Sequence, residues 1–176
     1  MRMRIGRCRT KSATNTIDPV SSGSDHFIPG LAVDKRTSGS TAHLALTYYF
    51  YPDATCTGGC KLTVGYISSP DGGAHWGNPV QLAGPMSLND VANTSQGPMV
   101  GDYISTSFNP AGGAMPVISL GNAHTVGQPF DEAMYAPSSP LAVSPLSEAV
   151  NLASSAGAQG TTGQGSGTAH QAIRDN

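Results

Sequence analysis

Eight residues near the middle of the chain constrain its fold most. They are Ser69-Pro70-Asp71-Gly72-Gly73-Ala74-His75-Trp76, a Ser-x-Asp-x-Gly-x-x-Trp spacing. A β-rich run from Leu62 to Ser68 leads in, and Pro79-Val80-Gln81-Leu82 leads out. Between them, Asp71-Gly72-Gly73 is a tight-turn signal. Glycine takes positive φ at little cost, and an aspartate side chain bonds the backbone two residues on. Trp76 then supplies a large apolar plate that can pin the turn onto a sheet. The spacing therefore predicts a folded hairpin corner, with Ser69, Asp71, Gly73 and Trp76 in structural roles.

Composition extends this to the whole chain. Its 176 residues suit one ordinary domain with a modest core. Charged residues are 11%, against about 25% in typical soluble domains. With 22 Gly and 13 Pro the chain is rich in turns, and nothing resembles a long amphipathic helix. An all-β protein is expected. The formal net charge of −2 offers no electrostatic case for nucleic acid. One basic cluster exists, Arg2, Arg4, Arg7, Arg9 and Lys11. It is read as a solvated, disordered leader over residues 1–24, with an RNA-binding or targeting tail as the alternative. No apolar core region follows these charges, so no signal peptide is recognisable. No run of about 20 apolar residues is present, so no membrane-spanning helix and no membrane partner are expected.

Short strands then follow in succession. Phe27 to Val33 reads as a strand with a Pro that places it at an edge or a bend. His43 to Tyr51 is the strongest strand, apolar and aromatic on both faces, as between two packed layers. Its Tyr48-Tyr49-Phe50-Tyr51 run reads as core, with sugar stacking as the alternative. Leu62 to Ser68 and a short strand near Val80 complete a first unit over residues 25–84. A second cycle over 97–136 predicts strands at Met99 to Phe108, Ala114 to Leu120 and Asp131 to Ala136. Both cycles share a strand, polar turn, strand plan, which is a weak internal repeat. After Pro137 the chain is rich in Ser, Ala and Gly. Residues 137–176 are expected to be largely flexible, with a further strand or short helix in the Leu141 to Leu152 stretch.

Cys56 and Cys60 flank Thr57-Gly58-Gly59 in an expected loop. A local disulfide is the favoured reading, free thiols the alternative. It would place the parent protein in an oxidising compartment. No second ligand pair has zinc spacing, and His26, His43, His75, His124 and His170 show no metal-ligand pattern. No metal and no cofactor are expected. There is no Asp-x-Asp-x-Asp-Gly calcium loop, no phosphate loop around Gly72-Gly73 or Gly112-Gly113, and no Gly-x-Ser-x-Gly elbow.

The Ser69 to Trp76 motif resembles the Asp-box of sialidase-like, BNR-repeat β-propellers. Asp25 to Asp34 with the Leu44 to Tyr51 strand, and Gly97 to Ile104 leading to Phe130 to Tyr135, extend the resemblance over about Asp25 to Ala136. It implies four-stranded antiparallel blades, with the Asp-box between the third and fourth strands. The expected fold is thus all-β, a partial sialidase-like propeller of about two blades with flexible termini. Propellers typically need 4–8 blades. The chain is expected to be a fragment of a longer propeller, or to complete itself by association.

The resemblance further implies a secreted or periplasmic parent, a glycan as partner and a sialidase site. That site has three arginines clamping a carboxylate, a tyrosine–glutamate pair as nucleophile and an aspartate as acid/base. Here no arginine stands between Thr37 and Ile173, and Phe27-Ile28-Pro29 replaces the family's Arg-Ile-Pro. Tyr103 and Glu132 are cast as nucleophile and base, and Asp102 as a group facing a ligand from an inner strand or capping a turn. Adjacent strand residues point to opposite faces, so Asp131 and Glu132 do not form one acid/base pair. A fragment of a propeller protein that acts on or binds glycans, without catalysis by this chain alone, is the expectation. A non-enzymatic module that binds protein or carbohydrate and self-associates is the alternative.

Overall fold

The computed structural model describes residues 23–125, 127 and 130–145. The basic cluster, Cys8, His170 and the Ser/Ala/Gly-rich stretch beyond Pro145 lie outside the described residues. The fold is all-β. Strands β1 (Asp25–Val33), β2 (Leu44–Tyr51), β3 (Lys61–Ser69) and β4 (Val80–Ser87) form one four-stranded antiparallel sheet in sequence order. A two-residue ribbon follows, β5 (Asn93–Thr94) with β6 (Gly97–Pro98). Strands β7 (Ser105–Phe108), β8 (Ala114–Asn122) and β9 (Asp131–Tyr135) form a second antiparallel sheet. Among the described residues neither sheet closes on itself.

The pattern of β2 explains the layering. Alternate residues of a strand face opposite sides, and β2 is apolar on both. Tyr49, with Leu62 and Val64 of β3, packs against Ile118, Val91 and Val100. Ala45 and Tyr66 meet Ala114 in the same interlayer. On the other face Leu46, Tyr48 and Ile67 gather around Trp76. Trp76 therefore anchors the corner predicted from its spacing.

The two sheets approach each other along β1 and β7. Thr106 Oγ1 donates to the Gly30 carbonyl (2.8 Å). A Cβ at Gly30 would lie 3.1 Å from Ile104, so a larger residue there would press on Ile104 and Thr106. Across the interlayer, Tyr49 takes the place of a missing strand. β7 pairs with β8 only as far as Val117. Beyond that point the Tyr49 hydroxyl donates to the Ser119 carbonyl (2.7 Å) and accepts from the Ser119 amide (2.9 Å). A buried backbone edge is thus satisfied by one side chain.

One expectation requires correction. The strand predicted over Met99 to Phe108 begins only at Ser105. Gly101 takes φ 97°, and Val100 turns inward to the core at 6% exposure. The positive φ breaks the alternation a strand needs, so Asp102 lies in an irregular segment and not on an inner strand. Of the stretch expected to form a further strand or short helix, Leu141 makes a bridge with Ala114, and residues 146–152 lie outside the described residues. The chain then crosses back over the first sheet. Tyr66 Oη donates to the Ala142 carbonyl (3.0 Å), and the Ser144 amide donates to Ser68 Oγ (2.9 Å).

Candidate functional site

The Ser69 to Trp76 corner is held by its own side chains. The Gly73 amide donates to Ser69 Oγ (2.9 Å), and Ser69 Oγ donates to Asp71 Oδ1 (2.9 Å). The His75 amide donates to the same oxygen (2.8 Å), while His75 Nδ1 meets Asp71 Oδ2. Trp76 Nε1 donates to the Gly73 carbonyl (3.1 Å). Gly72 and Gly73 take φ 73° and 90°, where side chains are strained. Burial pushes the Asp71 carboxyl up, but the amide and ring of His75 and the Ser69 hydroxyl together hold it below its ordinary value. His75 is half-buried against Asp71. The Ser69, Asp71, His75 and Trp76 side chains bond within the corner, and the Gly72 amide donates to the Ala42 carbonyl (2.8 Å), so these groups hold the turn in place.

At the C-terminal end of β1 sits a polar clamp that the motifs did not reveal. Asp34 is buried at 2% exposure. Arg36 grips it with two bonds, Nε to Oδ1 (3.1 Å) and Nη2 to Oδ2 (2.7 Å), and its amide adds a third (3.0 Å). Arg36 Nη1 reaches over to the Pro110 carbonyl (2.6 Å) in the β7–β8 turn. The Arg36 side chain and amide hold the Asp34 carboxyl at about 2 against the opposing effect of burial. The clamp borders a groove of about 460 Å3 between the β1–β2 and β7–β8 turns, lined by Lys35, Arg36, Thr106, Ser107, Phe108 and Asn109 among others. The sequence signal was the Asp-x-Arg spacing itself, since an aspartate that bonds the amide two residues on is an Asx-type turn.

The three candidate site residues, Asp102, Tyr103 and Glu132, lie apart in their roles. Glu132 on β9 accepts from the Ala92 amide (2.8 Å) through Oε2 and from the Ser119 hydroxyl through Oε1. It therefore ties the loop before β5 to β8. Ser119 connects this carboxylate to Tyr49. Burial pushes the Tyr49 hydroxyl up to about 12, opposed by the Ser119 bond and reinforced by Glu132. Tyr103 stands 87% exposed, and no hydrogen bond joins it to Glu132. Asp102 is exposed at the mouth of a separate cavity described below. Tyr48 and Tyr49 are core residues, at 4% and 0% exposure.

Cys56 and Cys60 form a disulfide with Cα atoms 5.7 Å apart, within the usual range. Among the described residues no group of three or more His, Cys, Asp or Glu side chains is placed to hold a metal ion. No described helix is long and apolar enough to cross a membrane. Arg36 is the one arginine among the described residues, and both of its ends are engaged. No family model, curated protein or solved structure matches the chain.

Proposed function

We propose that the chain supplies two neighbouring blades of a sialidase-like propeller and binds glycan without hydrolysing it by itself. One observation carries the reading. The Ser69 to Trp76 corner joins the third and fourth strands of a four-stranded meander, and a second antiparallel sheet stacks on that meander. This is the position an Asp-box takes in a blade. The groove beside Lys35 suits neutral sugars. It offers the Lys35 ammonium as a donor, the Thr106 and Ser107 hydroxyl oxygens as acceptors and the Phe108 ring as an apolar face. It does not suit a carboxylate clamp, because Arg36 already spends its planar donor face on Asp34. The parent protein belongs in this reading to a secreted or periplasmic setting, in line with the disulfide.

The test is a glycan-array screen of residues 1–176, paired with a fluorogenic sialoside assay. Binding of neutral glycans that Lys35→Ala weakens, with hydrolysis at the blank rate, is the expected result. Sialoside turnover by this chain would overturn it, as would an array with no retained glycan.

A second reading is favoured by exposed apolar side chains on both outward faces. Leu31 and Val33 are 59% and 50% exposed on the first sheet, and Val117 and Met134 are 38% and 53% exposed on the second. Copies of the chain stack through these faces in this reading, as blades stack within a ring.

A further inference from the structure

At the N-terminal end of β1, opposite the polar groove, lies a cavity of about 190 Å3. Phe27, Tyr51, Leu62, Leu88, Val91 and Val100 form most of its apolar wall. Several of these belong to the interlayer core, so the cavity is an inlet into that core. A fully apolar cavity of about 150 Å3 stays dry and accepts a benzene-sized guest. This one has comparable room.

Two further features distinguish it from a packing flaw. Asp102 stands at its mouth, exposed, with no hydrogen bond or ion pair among the described residues. Ile28, also in the wall, has φ 47° within the β1 bulge between Phe27 and Gly30. A β-branched residue at positive φ is strained, and such strain gathers where a site is being shaped. The Phe27 and Tyr51 rings, with centroids 5.2 Å apart, line the same wall. Ring faces attract cations, as does the Asp102 carboxylate.

We propose that this cavity binds a small organic ammonium compound, its apolar body of benzene size in the inlet and its charged nitrogen beside Asp102. The body is recognised by displacement of water from the apolar wall. The charge is recognised at the rim, where the ammonium keeps part of its hydration and pairs with the carboxylate. A neutral analogue keeps the first contribution and loses the second. An anionic analogue loses the second and is repelled.

The experiment titrates the full 176-residue chain with benzylammonium, benzyl alcohol and phenylacetate, followed by calorimetry and by methyl shifts of Leu62 and Val91. Benzylammonium is expected to bind about fivefold or more tightly than the alcohol, the scale of a partly exposed ion pair aided by ring faces. Phenylacetate is expected not to saturate. Asp102→Asn, an exposed substitution that leaves the core untouched, should bring the amine and the alcohol to equal affinity. Equal affinities in the unsubstituted chain, an amine preference that survives Asp102→Asn, or saturation by none of the three probes overturns the proposal.

Discussion

Asp34 and Asp71 carry the clearest electrostatic commitments in the molecule. Both are held below the ordinary carboxylate value by donors that only the folded chain assembles. A carboxyl with a depressed folded value stabilises the fold fully above its unfolded value, and the contribution is lost as pH falls through the folded value. For Asp34 that window runs from 3.8 down to about 2. Thermal melts between pH 6 and pH 2 should therefore show the melting temperature falling steeply below about pH 4. Asp34→Asn should flatten that fall, because the amide no longer titrates, while lowering the plateau at neutral pH. An unchanged slope in the variant would assign the acid sensitivity elsewhere. Asp71→Ala strips the His75 amide and the Ser69 hydroxyl of their acceptor. It should cost about 1–3 kcal/mol in chemical denaturation, the scale of donors left without partners. The local role of Asp71 was legible from its spacing. The Asp34–Arg36 pair left a signal in its Asp-x-Arg spacing, but the reach of Arg36 to the Pro110 carbonyl spans 74 positions of sequence and left none.

At the scale of elements, the contact of Tyr49 with β8 decides how the two sheets stay in register. One hydroxyl satisfies both backbone groups of Ser119 where β7 has run out. Tyr49→Phe keeps the ring and the packing but orphans that donor and acceptor. A loss of about 1–3 kcal/mol with an unchanged denaturant slope is expected. The hydroxyl also gives an alkaline signature. Its folded value of about 12 lies above the ordinary 10.0, so its contribution is complete below pH 10 and is lost as pH rises toward 12. Stability of the native chain should fall across that window, and Tyr49→Phe should remove part of the fall. The strands around this contact were largely readable, since β1 to β4, β8 and β9 follow apolar runs bounded by Gly, Pro and Asp. The stretch before β7 was not. Val100, Tyr103 and Ile104 look like a strand in composition, but Gly101 at φ 97° sends Val100 inward and leaves Tyr103 in solvent. Periodicity cannot register a single reversed dihedral.

For the whole molecule, the informative fact is that, among the described residues, both sheets carry exposed apolar side chains on their outward faces. Within the chain, the inner face of the second sheet covers one face of the first, as adjacent units do in an array that buries its core by contact with neighbours. By strand alternation, Leu31 and Val33 point away from the second sheet, while Met134 and Val117 point away from the first. The sequence displayed the all-β class as a succession of short apolar runs, but where the exposed side chains fall required the registers. It displayed a catalytic site only through family resemblance. Glu132, cast there as a base, instead serves as a brace between β8 and the loop before β5. If copies stack through the outward faces, the native chain should sediment at a multiple of its 18.0 kDa mass. Leu31→Lys combined with Met134→Lys should return it to a single chain, since a charge buried at such a contact is costly and neither residue belongs to the interlayer core. The variant's unfolding transition should stay cooperative. A native chain that sediments at 18.0 kDa and unfolds sharply would sink the association reading, and its stability would then rest on its own cores, the interlayer around Tyr49 and the cluster around Trp76.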